Sequence, residues 1–473
     1  MQTLLLKYWG HLRSTFWFVP AAMACFAVAL AVSAVALDRA VTADWLQRLN
    51  WIYSGGAEGA SRLLGTVAGS MIAIAGTVFS MTLVALSLAS SQLGPRLLRN
   101  FMRDIVNQVV LGTFVATFLY CLLVLRTIRR ADEVAFVPHL SISIGVLLAI
   151  VSVGVLIYFI HHISVTIQAD QVVARVGREL DDGIDRLFPD DVGRSGPDVA
   201  KEPAEGHLPA AFAREARPVC ALKDGYLQLI DADVLMALVE KEDLVMRLER
   251  RPGHYLTRGR AMAMVWPGDR VDDALAAKIN AAFVLGDQRT AAQDIEFSFH
   301  QLVEIAVRAL SPGINDPFTA VACVDRLESA LCRLARCPMP APERFDPEGR
   351  LRMVATGSTF AGVVDTAFDQ IRQNARSNPA LAIRMLDAIA QIAAHVQRSE
   401  DAVCLQRHAI MTVRGAREAV PEPGDLAIIE ARFMAAMQEV LPLICEVDVP
   451  NDCSKPVGQT RSDVRLESRT RTS

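Results

Sequence analysis

Five hydroxyl side chains, Ser70, Thr77, Ser80, Ser87 and Ser91, fall on one line inside a long apolar stretch. Steps of three and four residues from Ser70 give Ala73, Thr77, Ser80, Val84, Ser87, Ser91 and Gly94, the spacing of a single helix face. That face is nearly free of bulk. A neighbouring row holds Gly65, Gly69 and Ala73 in a Gly-x-x-x-Gly arrangement. Two chemistries fit such a stripe. It packs closely against another helix, with each hydroxyl bonded to its own backbone, or it lines a water-filled path. Past Gly94-Pro95, which should break or bend the helix, Arg96, Arg99 and Arg103 recur at i, i+3 and i+7. In a ring of subunits they form a cationic collar that favours a small anion or an anionic lipid headgroup. In a single chain they are the charged flank of a span.

A second set lies in the run RTAAQDIEFSFHQLVEIAVRALSPGINDPFTAVACVDRL, residues 289–327. Thr290 with Gln293 three residues on reads as a capping box. His300, Glu304 and Arg308 follow at i, i+4 and i+8 on the polar side of the helix, as an ion ladder or part of a ligand site. Ser311-Pro312-Gly313 ends that helix, and Asp316 with Pro317 starts the next. The loop between them, with Asn315, offers backbone N–H groups at a helix start, which is an anion seat or turn chemistry alone. Arg289, Asp294 and Thr319 complete this candidate set.

Other chemistry is missing from the sequence. It has no Gly-x-x-x-x-Gly-Lys-Ser/Thr, Gly-x-Ser-x-Gly or His-Glu-x-x-His, so an enzyme is not expected. Nine histidines include no His-x-x-x-His pair and nine cysteines no Cys-x-x-Cys pair. We therefore expect no metal, no cofactor and free thiols in a reducing compartment.

The elements that carry these residues divide the 473-residue chain in two. Phe16–Leu37, Leu63–Leu93, Ile105–Leu125 and Val137–Ile160 are apolar and uncharged enough to cross a bilayer. The second is longer than ~30 Å of hydrocarbon requires. Trp9, Trp17, Trp45 and Trp51 flank the first, as rings at headgroup level do, and a short interfacial helix is expected around Trp45, Leu49 and Ile52. With the N-terminus inside, seven cytoplasmic Lys and Arg face six outside, which barely orients the bundle. The scattered cysteines favour both termini in the cytoplasm.

Residues 1–169 carry a net charge of +5 and the remainder −9. An acidic soluble part without a basic stripe argues against nucleic acid as partner. From Ser164 to Leu187 the pattern predicts a helix leaving the membrane, and Pro189 to Pro218 a linker. Residues 219–289 read as a small α+β subdomain: strands at Val219–Leu222 and Tyr226–Ile230 around a Lys223-Asp224-Gly225 turn, a helix capped by Asp231, then strands at Leu244–Leu248 and Ala261–Val265. Residues 290–449 read as a helical subdomain with one strand at Leu351–Ala355 and Asn378 as a helix cap. The tail from Pro450 has too few apolar groups to fold. The fold class is thus a four-span α-helical membrane protein with a C-terminal soluble α+β, mostly helical, domain.

The run from Arg289 to Leu327, the span AGTVFSMTLVALSLASSQLGPRLLRNFMRD and the order of four spans before this domain resemble the bacterial domain-of-unknown-function family numbered 2254. The resemblance covers roughly residues 5 to 440. It implies a multi-pass inner-membrane protein with a cytoplasmic domain and no settled activity, and it carries over no catalytic residue. Two functions follow from the residues: an oligomeric channel-like conduit with a cytoplasmic regulatory domain, or a membrane-anchored sensor or scaffold that binds a ligand or partner around Arg308 to Thr319. Both take the lipid bilayer and further copies of the chain as partners.

Overall fold

The computed structural model describes residues 17–40, 56–93, 105–128, 136–166, 168–188 and 208–445. The four apolar stretches are helices: α1 (Phe18–Ala40), α2 (Ala57–Leu93), α3 (Ile105–Thr127) and α4 (His139–Thr166). Each is long and apolar enough to cross a membrane. At 37 residues, α2 extends about 55 Å at 1.5 Å per residue, so part of it stands clear of the hydrocarbon or tilts within it.

The bundle is built around α3, which packs on α1, α2 and α4. Phe114, Tyr120, Cys121 and Val124 on α3 have no exposure. Two glycines let helices approach. A Cβ on Gly112 would meet Met23 Sδ at 2.6 Å and the Pro20 backbone at 3.2 Å, and one on Gly145 would meet Leu64 Cδ2 at 3.0 Å. Polar ties join α3 to α4: the Tyr120 hydroxyl donates to the Ser141 carbonyl (2.9 Å), and the Thr117 and Ser152 hydroxyls lie 3.1 Å apart. The helices outrun the expected spans, so Asp38 and Arg39 lie in α1 and Glu58 and Arg62 in α2.

The predicted helix from Ser164 to Leu187 is two helices. Gln168 adopts an extended backbone, and α5 (Ala169–Leu187) starts after it. Val172, Val173, Val176, Leu180 and Ile184 of α5 enter one core with α9 (Ile295–Ala309), α10 (Pro317–Arg336), α11 (Phe360–Asn374), α12 (Pro379–Ala393), α13 (Ser399–Ala419) and α14 (Pro423–Cys445). Caps start these helices: Asp294, Asp316, Thr359 and Asn378 each accept the backbone N–H three residues on. The helix expected to start at Thr290 therefore starts at Asp294. Gln293 is spent elsewhere, because its amide accepts from the Ile230 N–H (2.8 Å) and donates to the Ile230 carbonyl (3.0 Å).

Between α5 and α9 lie α6 (Phe212–Glu215), β1 (Arg217–Cys220), β2 (Gly225–Ile230), α7 (Ala232–Lys241), β3 (Val245–Leu248), β4 (Tyr255–Leu256), β5 (Ala261–Trp266), α8 (Asp273–Ala281) and β6 (Phe283–Gly286). Asp231 caps α7 as expected. The expected hairpin over residues 219–230 does not form: β1 pairs with β5, while β2 lies between β4 and β6 in a second sheet. The larger sheet runs β1-β5-β3-β8-β7, where β7 is Glu343–Phe345 and β8 is Leu351–Ala355. β8 lies parallel to β3 and is the sheet's one parallel pairing. The sheet therefore recruits a strand from beyond residue 289, and the two C-terminal subdomains share it.

Candidate functional site

One row of α2 is buried in the bundle: Ala60, Leu64, Ala68, Met71, Ala75, Val78 and Ala85. Ser70, Thr77, Ser80, Ser87 and Ser91 occupy the other side and are exposed. A Cβ on Gly65 or Gly69 would meet nothing within 4 Å. Among the described residues, nothing packs on the glycines of this stripe. Close approach of helices through glycine is seen at Gly112 and Gly145. Two stripe hydroxyls turn back on their own helix, Thr77 to the Ala73 carbonyl (3.1 Å) and Ser91 to the Leu88 carbonyl (2.9 Å). Arg96, Arg99 and Arg103, with Gly94 and Pro95, lie outside the described residues.

The second set splits into three parts. At the start of α9 the Arg289 guanidinium holds Asp294, with Nε 2.8 Å and Nη2 2.7 Å from Oδ2. Burial pushes the Asp294 carboxyl up, and Arg289 opposes that rise. Gly253 lies against this pair with φ +94°, and a Cβ there would come within 2.2 Å of Asp294 Oδ2. Beside it, Arg251 donates to Glu296 (2.7 Å) and Ser358 (2.6 Å). These contacts fasten the β4 turn to α9 and serve the fold.

His300, Glu304 and Arg308 descend one side of α9, all half-buried. Arg308 Nη1 donates to the backbone carbonyls of Ser90 (3.2 Å) and Ser91 (3.1 Å). Those carbonyls lie in the last turn of α2, where helical C=O groups lack intrahelical partners and the dipole favours a cation. A residue singled out as a ligand contact thereby meets the backbone of Ser91, the last residue singled out in the pore stripe.

The α9–α10 loop is turn chemistry. Ser311 Oγ donates to the Arg308 carbonyl (2.6 Å), and Asn315 takes the left-handed φ of 49°. The Asp316 carboxylate accepts from the Thr319 backbone N–H (3.2 Å) and hydroxyl (2.5 Å). The proposed anion seat is therefore occupied by the cap's own carboxylate.

Two groupings escaped the sequence reading. At the far end of the bundle Asp38 of α1 accepts from the backbone N–H of Leu140 (2.9 Å) and Ser141 (2.8 Å) and from the Ser141 hydroxyl (2.6 Å), so α1 caps α4 across space. In the C-terminal part Asp365, Cys404 and His408 bring donor atoms within 4.8 Å of one another. The signal was a mixed Cys-x-x-x-His pair on α13, which a search for His-x-x-x-His or Cys-x-x-Cys passes over.

Residues 13–391 match the family described as "Predicted membrane protein (DUF2254)". Uncharacterized proteins of Mycobacterium bovis and Mycobacterium tuberculosis are each 30% identical to the chain over 429 residues, covering 89% of it and 79% of their own length. No solved structure matches it. With four apolar helices ahead of a mostly helical α+β part, the chain belongs to this family of predicted membrane proteins.

Proposed function

We propose that the chain assembles with copies of itself into a channel-like conduit of the bacterial inner membrane, its termini and C-terminal part in the cytoplasm. The single observation that carries this reading is the α2 stripe, whose hydroxyls and glycines turn away from their own bundle. Among the described residues, no neighbour packs on the Gly65 and Gly69 side of that face, and a ring of α2 helices gives it an aqueous one. The Arg308 contact to Ser90 and Ser91 supports a regulatory role for the C-terminal part, because any movement of α9 pulls on the end of the lining helix. The transported species in this reading is a small ion, anionic where Arg96, Arg99 and Arg103 stand at the mouth. It involves no catalysis and no cofactor. A second reading, a membrane-anchored sensor or scaffold, draws on the Thr77 and Ser91 hydroxyls returning to their own backbone, as they do on a packing face.

Flux through reconstituted vesicles separates the two. The conduit predicts ion flux from the wild type, lowered by Ser87→Val more than stability is, with anion preference reduced or reversed by Arg→Glu at 96, 99 and 103. Absence of flux in a correctly oriented reconstitution, across voltage and membrane tension, rejects the conduit in favour of the scaffold.

A further inference from the structure

On the seam between α11 and α13, three side chains of different donor type converge. Cys404 and His408 lie four residues apart on α13 and so share a face, and Asp365 comes from α11. One His408 ring nitrogen is 2.7 Å from Asp365 Oδ1. His408 is completely buried and Cys404 nearly so, while Asp365 is half-buried. The nitrogen facing Asp365 is Nε2; among the described residues the other ring nitrogen, Nδ1, has no hydrogen-bond partner.

The grouping already attracts a cation. Arg407 reaches over it, with Nη2 bonded to Asp365 and 3.6 Å from Cys404 Sγ. Its side chain is 52% exposed, so it can swing into solvent without disturbing the core. A guanidinium bridging a carboxylate and a thiol stands where a compact divalent ion would find both ligands and an imidazole.

We propose that Asp365, Cys404 and His408 bind a divalent transition-metal ion of the zinc class, with Arg407 as the resident cation that the metal displaces. A carboxylate oxygen, a thiolate and a neutral imidazole are the donor types zinc takes, and three protein ligands leave a fourth position for water. Charge balances in both states. Without metal, the carboxylate offsets the guanidinium beside a neutral thiol and imidazole. With metal, Cys404 gives its proton to solvent, and the thiolate and carboxylate offset the two positive charges. Bound metal would clamp α11 to α13, two helices of the same core.

The test uses the full-length, untagged chain in detergent, stripped with chelator and titrated with Co²⁺, whose bond to thiolate absorbs in the near ultraviolet. The expected result is a thiolate-to-cobalt band saturating at one ion per chain, displaced by Zn²⁺ and absent in Cys404→Ser. Asp365→Asn should weaken binding on the order of tenfold or more. Arg407→Ala removes the competing cation without touching the core and should tighten binding. Metal should also raise the unfolding temperature of wild type and Arg407→Ala, while Cys404→Ser should not respond. No band in wild type or in Arg407→Ala, or a band unchanged by Cys404→Ser, overturns the site and leaves an Arg407–Asp365–His408 network that serves packing alone.

Discussion

At the scale of single residues, two carboxylates do more than their sequence context announces. Asp38 closes the apolar α1 helix and reads as a span boundary, yet it caps α4. Asp38→Ala leaves two amides at the start of α4 without acceptors, and loss of such a cap costs about 1–2 kcal/mol; the unfolding midpoint of the detergent-solubilised chain should fall accordingly, and an unchanged midpoint would refute the capping role. Asp346, at the β7–β8 turn, has its carboxylate 1% exposed. Burial works against its charge, but hydrogen bonds from the Arg350 backbone and the Arg352 and Arg350 side chains outweigh that and hold it at about 2. A carboxyl held below its ordinary 3.8 contributes stability that is complete above that value and is lost as the pH falls through about 2. Wild type should therefore destabilise steeply between pH 4 and 2, and Asp346→Asn, weaker at neutral pH, should show a flatter decline. Parallel pH profiles for the two would remove Asp346 from the acid transition.

Elements give contrasting predictions for glycines that look alike in sequence. Gly69 and Gly112 both sit in apolar helices, but only Gly112 faces a neighbour, with Met23 Sδ and the Pro20 backbone against it. Gly112→Leu should destabilise the bundle by roughly 1–3 kcal/mol or more through overpacking. Gly69→Leu should leave the single chain's stability intact and disturb only assembly, which light scattering with a thermal melt would resolve. If Gly69→Leu kept both oligomer size and flux, the α2 stripe would be a lipid face. Legibility follows the same division. Periodicity gave the four spans and the helices from α9 onward, because a 3.6-residue apolar pattern marks a buried face wherever its partner lies. It gave which residues of α2 share a face, and not what that face meets. The hairpin over residues 219–230 failed for a related reason: local turn chemistry is sound around Gly225, but the strands' partners, β5 and β6, lie about forty to sixty residues further on, and β pairing at that separation leaves no local mark. The Thr290 cap lost to Asp294 because Gln293 had a tertiary partner in Ile230.

Across the whole molecule, two contacts fix which helix ends share a side. Asp38 ties the end of α1 to the start of α4, so those ends lie together at one surface. Arg308 ties the end of α2 to α9, and α4 runs through Gln168 into α5, which packs in the same core as α9. The ends of α2 and α4 therefore lie together at the opposite surface, beside the C-terminal part, as four antiparallel crossings require. The proposed orientation draws on chemistry: Cys220, Cys323, Cys332, Cys337 and Cys404, the described cysteines outside the spans, are free, and free thiols suit a reducing compartment. Reporter fusions after Arg13, Arg103 and Leu187 should then read cytoplasmic, and fusions at Ser54 and Asp132 periplasmic. A periplasmic reading at Leu187 would invert the molecule, putting the Arg308 contact and the Asp365–Cys404–His408 grouping in an oxidising space. Arg308→Ala, tested in the same fusions, should leave every assignment unchanged, because the contact joins two bodies already on one side, while hydrogen exchange at the end of α2 should rise. A switch of side on Arg308→Ala would mean that this contact directs insertion, and the coupling role given to it would fall.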